Sequence, residues 1–303
     1  MNVIFNVLLN EKKIMGKFKL IMFLVLSAFI FSCSKNNTEP DVVIDKTLNL
    51  KSAGDSANDI LSNDTYDKIQ IEIAYVTGFR PTVTAISDFT DFLKLHTYKE
   101  NIEFIYKELD SPNEENLTLQ EIADLETENR TVYSSGSTLA VYIYFSDAPS
   151  EDDVEDEGLV TLGAVYRNTS MIIHEGTIRK LASQSLAVSN ADVEAATLNH
   201  EFGHLFGLVN LGTEALSDHE DVDAENHCNV DGCLMRAELQ FTLSGKSSLD
   251  LKNGSYAKGQ NPACVLSGST VMSLLQPSKT ARTVEVPGLD AACVEDIQAN
   301  GGR

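Results

Sequence analysis

The sequence predicts an α+β protein, in which a twisted mixed sheet carries helices and a loop-rich C-terminal subdomain closes on a terminal helix. Three observations lead there. Between residues 68 and 207, stretches of strand period and of helical period follow one another as strand, helix, strand, helix, strand, strand, helix. Beyond Gly207 that periodicity gives way to Gly, Ser, Asn and Asp. A chain of 303 residues with 43% hydrophobic content can bury one sizeable core, or two lobes that share a cleft.

The elements follow in order. Lys68 to Val76 alternates apolar and polar residues, a strand signal. Pro81 is suited to open a helix that runs through Phe89, Phe92 and Leu93. Ile102 to Tyr106 reads as a second strand, Leu117 to Leu125 as a second helix, and Leu139 to Phe145 as a third, more buried strand. The acidic run Glu151 to Glu157 reads as a solvated loop. Leu162 to Tyr166 and Ser170 to His174 form an edge hairpin or a broken edge strand. Ser189 or Asn190 caps the next helix, with Asp192 and Glu194 in its first turn. Its apolar positions Ala195, Leu198, Phe202, Leu205 and Phe206 recur at helical spacing, and Gly207 suits a left-handed C-cap. Leu289 to Ala299 reads as the final helix, ended by Gly301 and Gly302.

The N-terminus has a different character. Lys17 and Lys19 precede an apolar run from Leu20 to Phe31, short for a membrane span but right for the core of an export signal, with Met15 as a natural start. The run ends in Ile30-Phe31-Ser32-Cys33, and a small residue before a lone Cys resembles the lipobox of bacterial lipoproteins. That resemblance implies residues 1–33 as a lipoprotein signal peptide, lipid on Cys33, and a chain anchored in the bacterial cell envelope, at the outer membrane or cell surface. Residues 34–65, rich in Ser, Asn, Asp and Thr, read as a flexible tether. Residues 66–303 then form the folded domain, with an N-subdomain over 66–207 and a C-subdomain over 208–303.

Charge excludes some partners. The first 33 residues hold four lysines and one glutamate, so the remainder carries 19 Lys and Arg against 44 Asp and Glu, a net charge of −25. Such a surface repels nucleic acid and anionic membranes, and it leaves calcium as a second candidate ion. We expect a monomer that meets the membrane through its N-terminal lipid and takes protein or peptide substrates.

The chemistry concentrates at His200-Glu201-Phe202-Gly203-His204. Two histidines four residues apart share one face of a helix, where both imidazoles reach one Zn2+ ion. Glu201, beside the first ligand, is placed to reach water at the metal as a general base. Flanking Leu205, Phe206 and Leu208 bury the helix, and a sharp turn at Gly207 can bring a third ligand from outside it.

Residues 200–207 are similar to the first part of the metzincin signature, HExxHxxGxxH. The third His of that signature falls on Asn210, a poor zinc ligand. Further on, His227-Cys228-Asn229-Val230-Asp231-Gly232-Cys233-Leu234-Met235 resembles the HCxxxxCxM segment of archaemetzincins. The resemblance implies that His227 is the third ligand, across a 17-residue insertion, and that Met235 forms the Met-turn beneath the metal. It also implies a metzincin-like fold, zinc-dependent endopeptidase activity, and substrate bound along an edge strand formed by Leu162, Gly163, Ala164, Val165 and Tyr166. His219 is the alternative third ligand, or part of a calcium site with Asp221 and Asp223; a solvated acidic loop is the plainer reading. Met272 is the rival Met-turn, and Tyr166 is either a cleft-rim residue or a packed one. His96 and His174 read as surface residues.

Cys228, Cys233, Cys264 and Cys293 are even in number in a chain read as exported, which suggests two disulfides; a second metal site is the competing reading. The archaemetzincin pattern closes with a CxxC that this chain lacks. Against peptidase activity stands a non-catalytic, metal-stabilised binding or adhesion lipoprotein on the same scaffold. Glu201 separates the two, because a binding module needs no general base.

Overall fold

In the computed structural model, residues 44–153, 160–184, 188–236, 265–267 and 286–303 are described below. The predicted signal peptide, Cys33, Cys264 and Met272 lie outside them. Among the described residues no helix is long and apolar enough to cross a membrane.

The chain is α+β. A 3-10 turn (Lys46–Asn49) and a short helix α1 (Ala57–Leu61) lead into β1 (Lys68–Val76), α2 (Val83–His96), β2 (Asn101–Leu109), α3 (Leu119–Asn129) and β3 (Thr138–Phe145). Then come β4 (Thr161–Arg167), β5 (Ser170–Ile173), α4 (Glu175–Ala182) and α5 (Asn190–Leu205). The C-terminal part adds a small hairpin of β6 (Glu220–Asp221) and β7 (Ala224–Cys228), a three-residue strand β8 (Val265–Ser267) and α6 (Ala291–Ala299).

Six strands form one mixed sheet in the order β2-β1-β3-β5-β4-β8. The pairs β1–β2, β1–β3 and β3–β5 are parallel, while β4 runs antiparallel to both β5 and β8. Strand period sorts the side chains onto two faces. Ile69, Ile71 and Ile73 of β1 join the main core with Phe89 of α2 and Phe202 of α5. Ala74 and Val76 join a smaller cluster with Ile122 of α3, Tyr142 and Tyr144. Phe89 meets Phe202 edge to face at 5.0 Å, and Phe92 stacks on Phe206 at 5.7 Å, which seats α5 against α2.

Four sequence expectations change here. Residues 44–65 are not a tether: Ile60 and Leu61 lie in the main core, and buried Asn49 donates to Ala140 O at 2.9 Å and Thr169 Oγ1 at 2.9 Å. Polar composition hid these anchors, because a buried Asn with every hydrogen bond satisfied looks like a loop residue in sequence. The helix after Pro81 begins two residues later, at Val83, because the side chain of Thr82 accepts from Ala85 N and caps it. His96 and His174 are buried, not surface residues. His174 Nδ1 pairs with Ala148 O at 2.9 Å, and burial pushes its pKa down to about 4. Lastly, β4 is not the sheet edge, because β8 pairs along its outer side.

Candidate metal centre

Helix α5 starts in a capping box, in which Ser189 accepts from Asp192 N and Asp192 accepts from Ser189 N. Its last turns carry His200, Glu201 and His204, all fully buried. The two Nε2 atoms stand 3.0 Å apart, near the separation of about 3.3 Å expected for two nitrogens on one tetrahedral zinc. His227 closes the triangle from β7, with ring centroids 5.4 Å from His200 and 5.3 Å from His204. One ligand nitrogen of each ring lies within 4.8 Å of the others.

The outer nitrogens set the tautomers. His200 Nδ1 donates to Leu234 O at 2.7 Å, and His227 Nδ1 donates to Glu225 O at 3.1 Å. Both rings therefore turn an unprotonated Nε2 inward, as metal ligands require. Burial pushes the pKa of His200 down to about 4 and that of His227 to about 3. His204, buried between the two other rings, is lower than its ordinary value as well. Three neutral imidazoles converging in a dry site fit a divalent ion such as zinc. No ion is needed to explain Asn210: it is exposed, and its amide donates to Glu220 at 2.6 Å.

Two glycines make room for this arrangement. A Cβ on Gly203 would lie 2.3 Å from Met235 Sδ, so Met235 packs against the helix turn between the two histidines, as a Met-turn would. Its backbone carbonyl accepts from Cys228 N at 2.7 Å, which ties that turn to the strand bearing His227. A Cβ on Gly163 would lie 2.8 Å from Glu201 Cγ and 3.0 Å from Glu201 Oε1. β4 thus runs against the candidate base. Tyr166, further along β4, packs in the smaller cluster with Ala164 and not on a cleft rim.

The cysteines are not disulfide-bonded among the described residues: Cys228, Cys233 and Cys293 are free and buried. The Sγ atoms of Cys233 and Cys293 are 3.7 Å apart, against about 2.05 Å for a disulfide. His219 Nδ1 joins them, 3.5 Å from Cys228 Sγ and 3.9 Å from Cys293 Sγ. Tetrahedral zinc would set its sulfurs about 3.8 Å apart and a nitrogen about 3.5 Å from each sulfur. Contacts with Cys228 and Cys293 lower the pKa of the Cys233 thiol below its ordinary value. His219 Nε2 pairs with Asp296 at 2.9 Å. His219 is therefore neither a third ligand of the first cluster nor in a calcium site with Asp221 and Asp223. Asp290 also reaches this cluster, at 3.0 Å from Cys228 Sγ.

Sequence reasoning held a second metal site only as the competing reading for the cysteines, and it did not place His219 or Asp290 there. His219 and Cys293 are 74 positions apart and meet only through tertiary packing. The sole available signal was the spacing of Cys228 and Cys233 beside His227, and the even cysteine count pointed elsewhere.

No family profile and no curated protein matches the chain. Among solved structures, archaemetzincin from Methanopyrus kandleri is similar at 12% identity and a TM-score of 0.41, over 77% of this chain and 96% of that one. Metalloproteinase-II from Bacteroides fragilis is similar at 14% identity and a TM-score of 0.32, over 63% of this chain and 50% of that one. At these values neither likeness bears on activity, and the functional reading stands on the residues.

Proposed function

We propose that the protein is a zinc-dependent endopeptidase, with His200, His204 and His227 holding the metal and Glu201 as general base. The observation that carries this reading is the convergence of three buried, neutral imidazoles beside a buried carboxylate. Zinc, when bound, supplies a Lewis acid that polarises a peptide carbonyl and acidifies water. Glu201 takes a proton from the attacking water as the oxygen–carbon bond forms, then gives it to the leaving nitrogen as the carbon–nitrogen bond breaks. His200 and His227 are held in the required tautomer by Leu234 and Glu225. β4 and α5 enclose Glu201 and exclude bulk water from it.

We read the second cluster, His219, Cys228, Asp290 and Cys293, with Cys233 beside Cys293, as a structural metal site. Four protein ligands on one ion leave no open position, as in structural zinc sites. The purified protein is then expected to hold two zinc ions per chain by elemental analysis. We also propose that Cys33 carries lipid and anchors the chain to a bacterial envelope membrane. Fatty-acid labelling is expected in the full chain and absent in Cys33→Ala; equal labelling of both removes the anchor.

The deciding experiment is hydrolysis of casein with and without a zinc chelator, alongside Glu201→Gln. The amide is isosteric but cannot accept a proton, so this variant should keep its zinc and lose about 100- to 10,000-fold in rate. If Glu201→Gln cleaves like the unaltered protein, the mechanism is wrong. If neither cleaves while zinc is bound, the non-catalytic binding role takes its place.

A further inference from the structure

β8 takes the outer side of β4. Its residues pair antiparallel with it, Val265 opposite Ala164, Leu266 opposite Gly163, and Ser267 opposite Thr161 across a register shift. β8 also approaches α5. The same stretch of β4 makes the sheet's close approach to the candidate base, since a Cβ on Gly163 would stand 2.8 Å from Glu201 Cγ. The inner side of β4 is taken by β5, through the pairs Gly163–Ile173 and Ala164–Ile172. An extended peptide that reaches Glu201 must satisfy its backbone donors and acceptors there, and a free strand edge is the general means of doing so. The edge nearest Glu201 is the one that β8 occupies.

We propose that Val265–Ser267 is an autoinhibitory strand: it fills the backbone edge that an extended peptide would use beside Glu201, and must leave before substrate can enter. The proposal rests on the peptidase reading above. Its length fits the role. Three residues of ladder hold the strand weakly, so a longer extended segment can displace it.

The test uses the full-length, zinc-loaded protein and a fluorogenic, unstructured peptide. A double substitution, Val265→Pro with Ser267→Pro, removes two backbone donors from β8 and cannot rejoin a ladder. We expect kcat/KM to rise at least 10-fold, chiefly through a lower KM. A second variant, Thr161→Cys with Ser267→Cys, is expected to lose at least 10-fold on oxidation and to recover with a phosphine reductant, with the unaltered protein oxidised in parallel as control. It covers the case in which the proline variant does not fold. Unchanged or lower kcat/KM in a folded proline variant, or full activity in the crosslinked one, overturns the strand's role and leaves the peptidase reading standing. If no form cleaves while zinc is bound, the peptidase reading fails and the proposal falls with it.

Discussion

Replacing Gly163 by Ala perturbs Glu201 without touching the three clustered histidines. The new methyl would sit 2.8 Å from Glu201 Cγ, 3.0 Å from its Oε1 and 3.0 Å from Thr197 Cγ2. Carbon atoms pack best at about 3.5–4.0 Å, so the pair must separate by close to 1 Å. Overpacking of this kind costs about 1–3 kcal/mol. Loss of glycine's freedom in the unfolded chain returns about 0.4–1 kcal/mol. The net loss is therefore roughly 0–2.6 kcal/mol, a fall in Tm of up to about 10 °C for a domain this size. The functional effect should be larger, because misplacing a catalytic group by 1 Å can cost about 100-fold in rate. The assay is kcat on the fluorogenic peptide with zinc content measured on the same sample. We expect full zinc and a 10- to 100-fold lower kcat. Full zinc with unaltered kcat would show that β4 does not press on the base, and the enclosure argued for Glu201 would fail.

The other predictions concern the ligands and pH. His227→Ala should lose the catalytic zinc and activity together, while Asn210→Ala keeps both; the reverse pattern in metal analysis would displace His227 as third ligand. Cys293→Ser or His219→Ala should lower zinc from two ions per chain to one and lower the Tm; an unchanged count would leave the cluster a set of plain thiols. In chelated protein, the three imidazoles have folded pKa values below the ordinary 6.5, with His200 at about 4 and His227 at about 3. The unfolded chain binds more protons in that window, so stability should fall as pH drops from 6.5 towards 4. A flat urea midpoint across that range would contradict it. Glu175 has the opposite sign: burial and nearby Glu194 push its pKa up to about 8, so stability should fall as pH rises from 4.5 to 8, and Glu175→Gln should remove that limb of the profile.

How much of this was legible in the sequence depends on where the information sits. His200, Glu201 and His204 were legible because helical spacing alone places them together. His227 and Met235 were legible through a local pattern nine residues long. The sheet's inner strands were legible from their apolar content. Glu72 was not: it sits fully buried in β1, where it accepts from the backbone N–H groups of Thr131 and Val132. Its partners lie about sixty positions away, and no local period encodes them. The same reason hides Asn49, His219 and Cys293. β8 was missed because three residues carry no measurable alternation, and its pairing with β4 joins segments about a hundred positions apart.

His227 and Cys228 are neighbours in the chain, yet one faces the imidazole cluster and the other the thiol cluster. Leu234 O accepts from His200 Nδ1 of the imidazole cluster, and Met235 O accepts from Cys228 N of the thiol cluster. A single peptide unit therefore belongs to both sites. Whatever orders it for one ion has already removed its freedom for the other, so each ion should raise the affinity of the second by the same factor in either order. Loading would then be cooperative, and partial chelation would yield mostly full and empty molecules with few carrying a single ion. In a metal-poor environment, such a protein would switch off over a narrow range of free zinc.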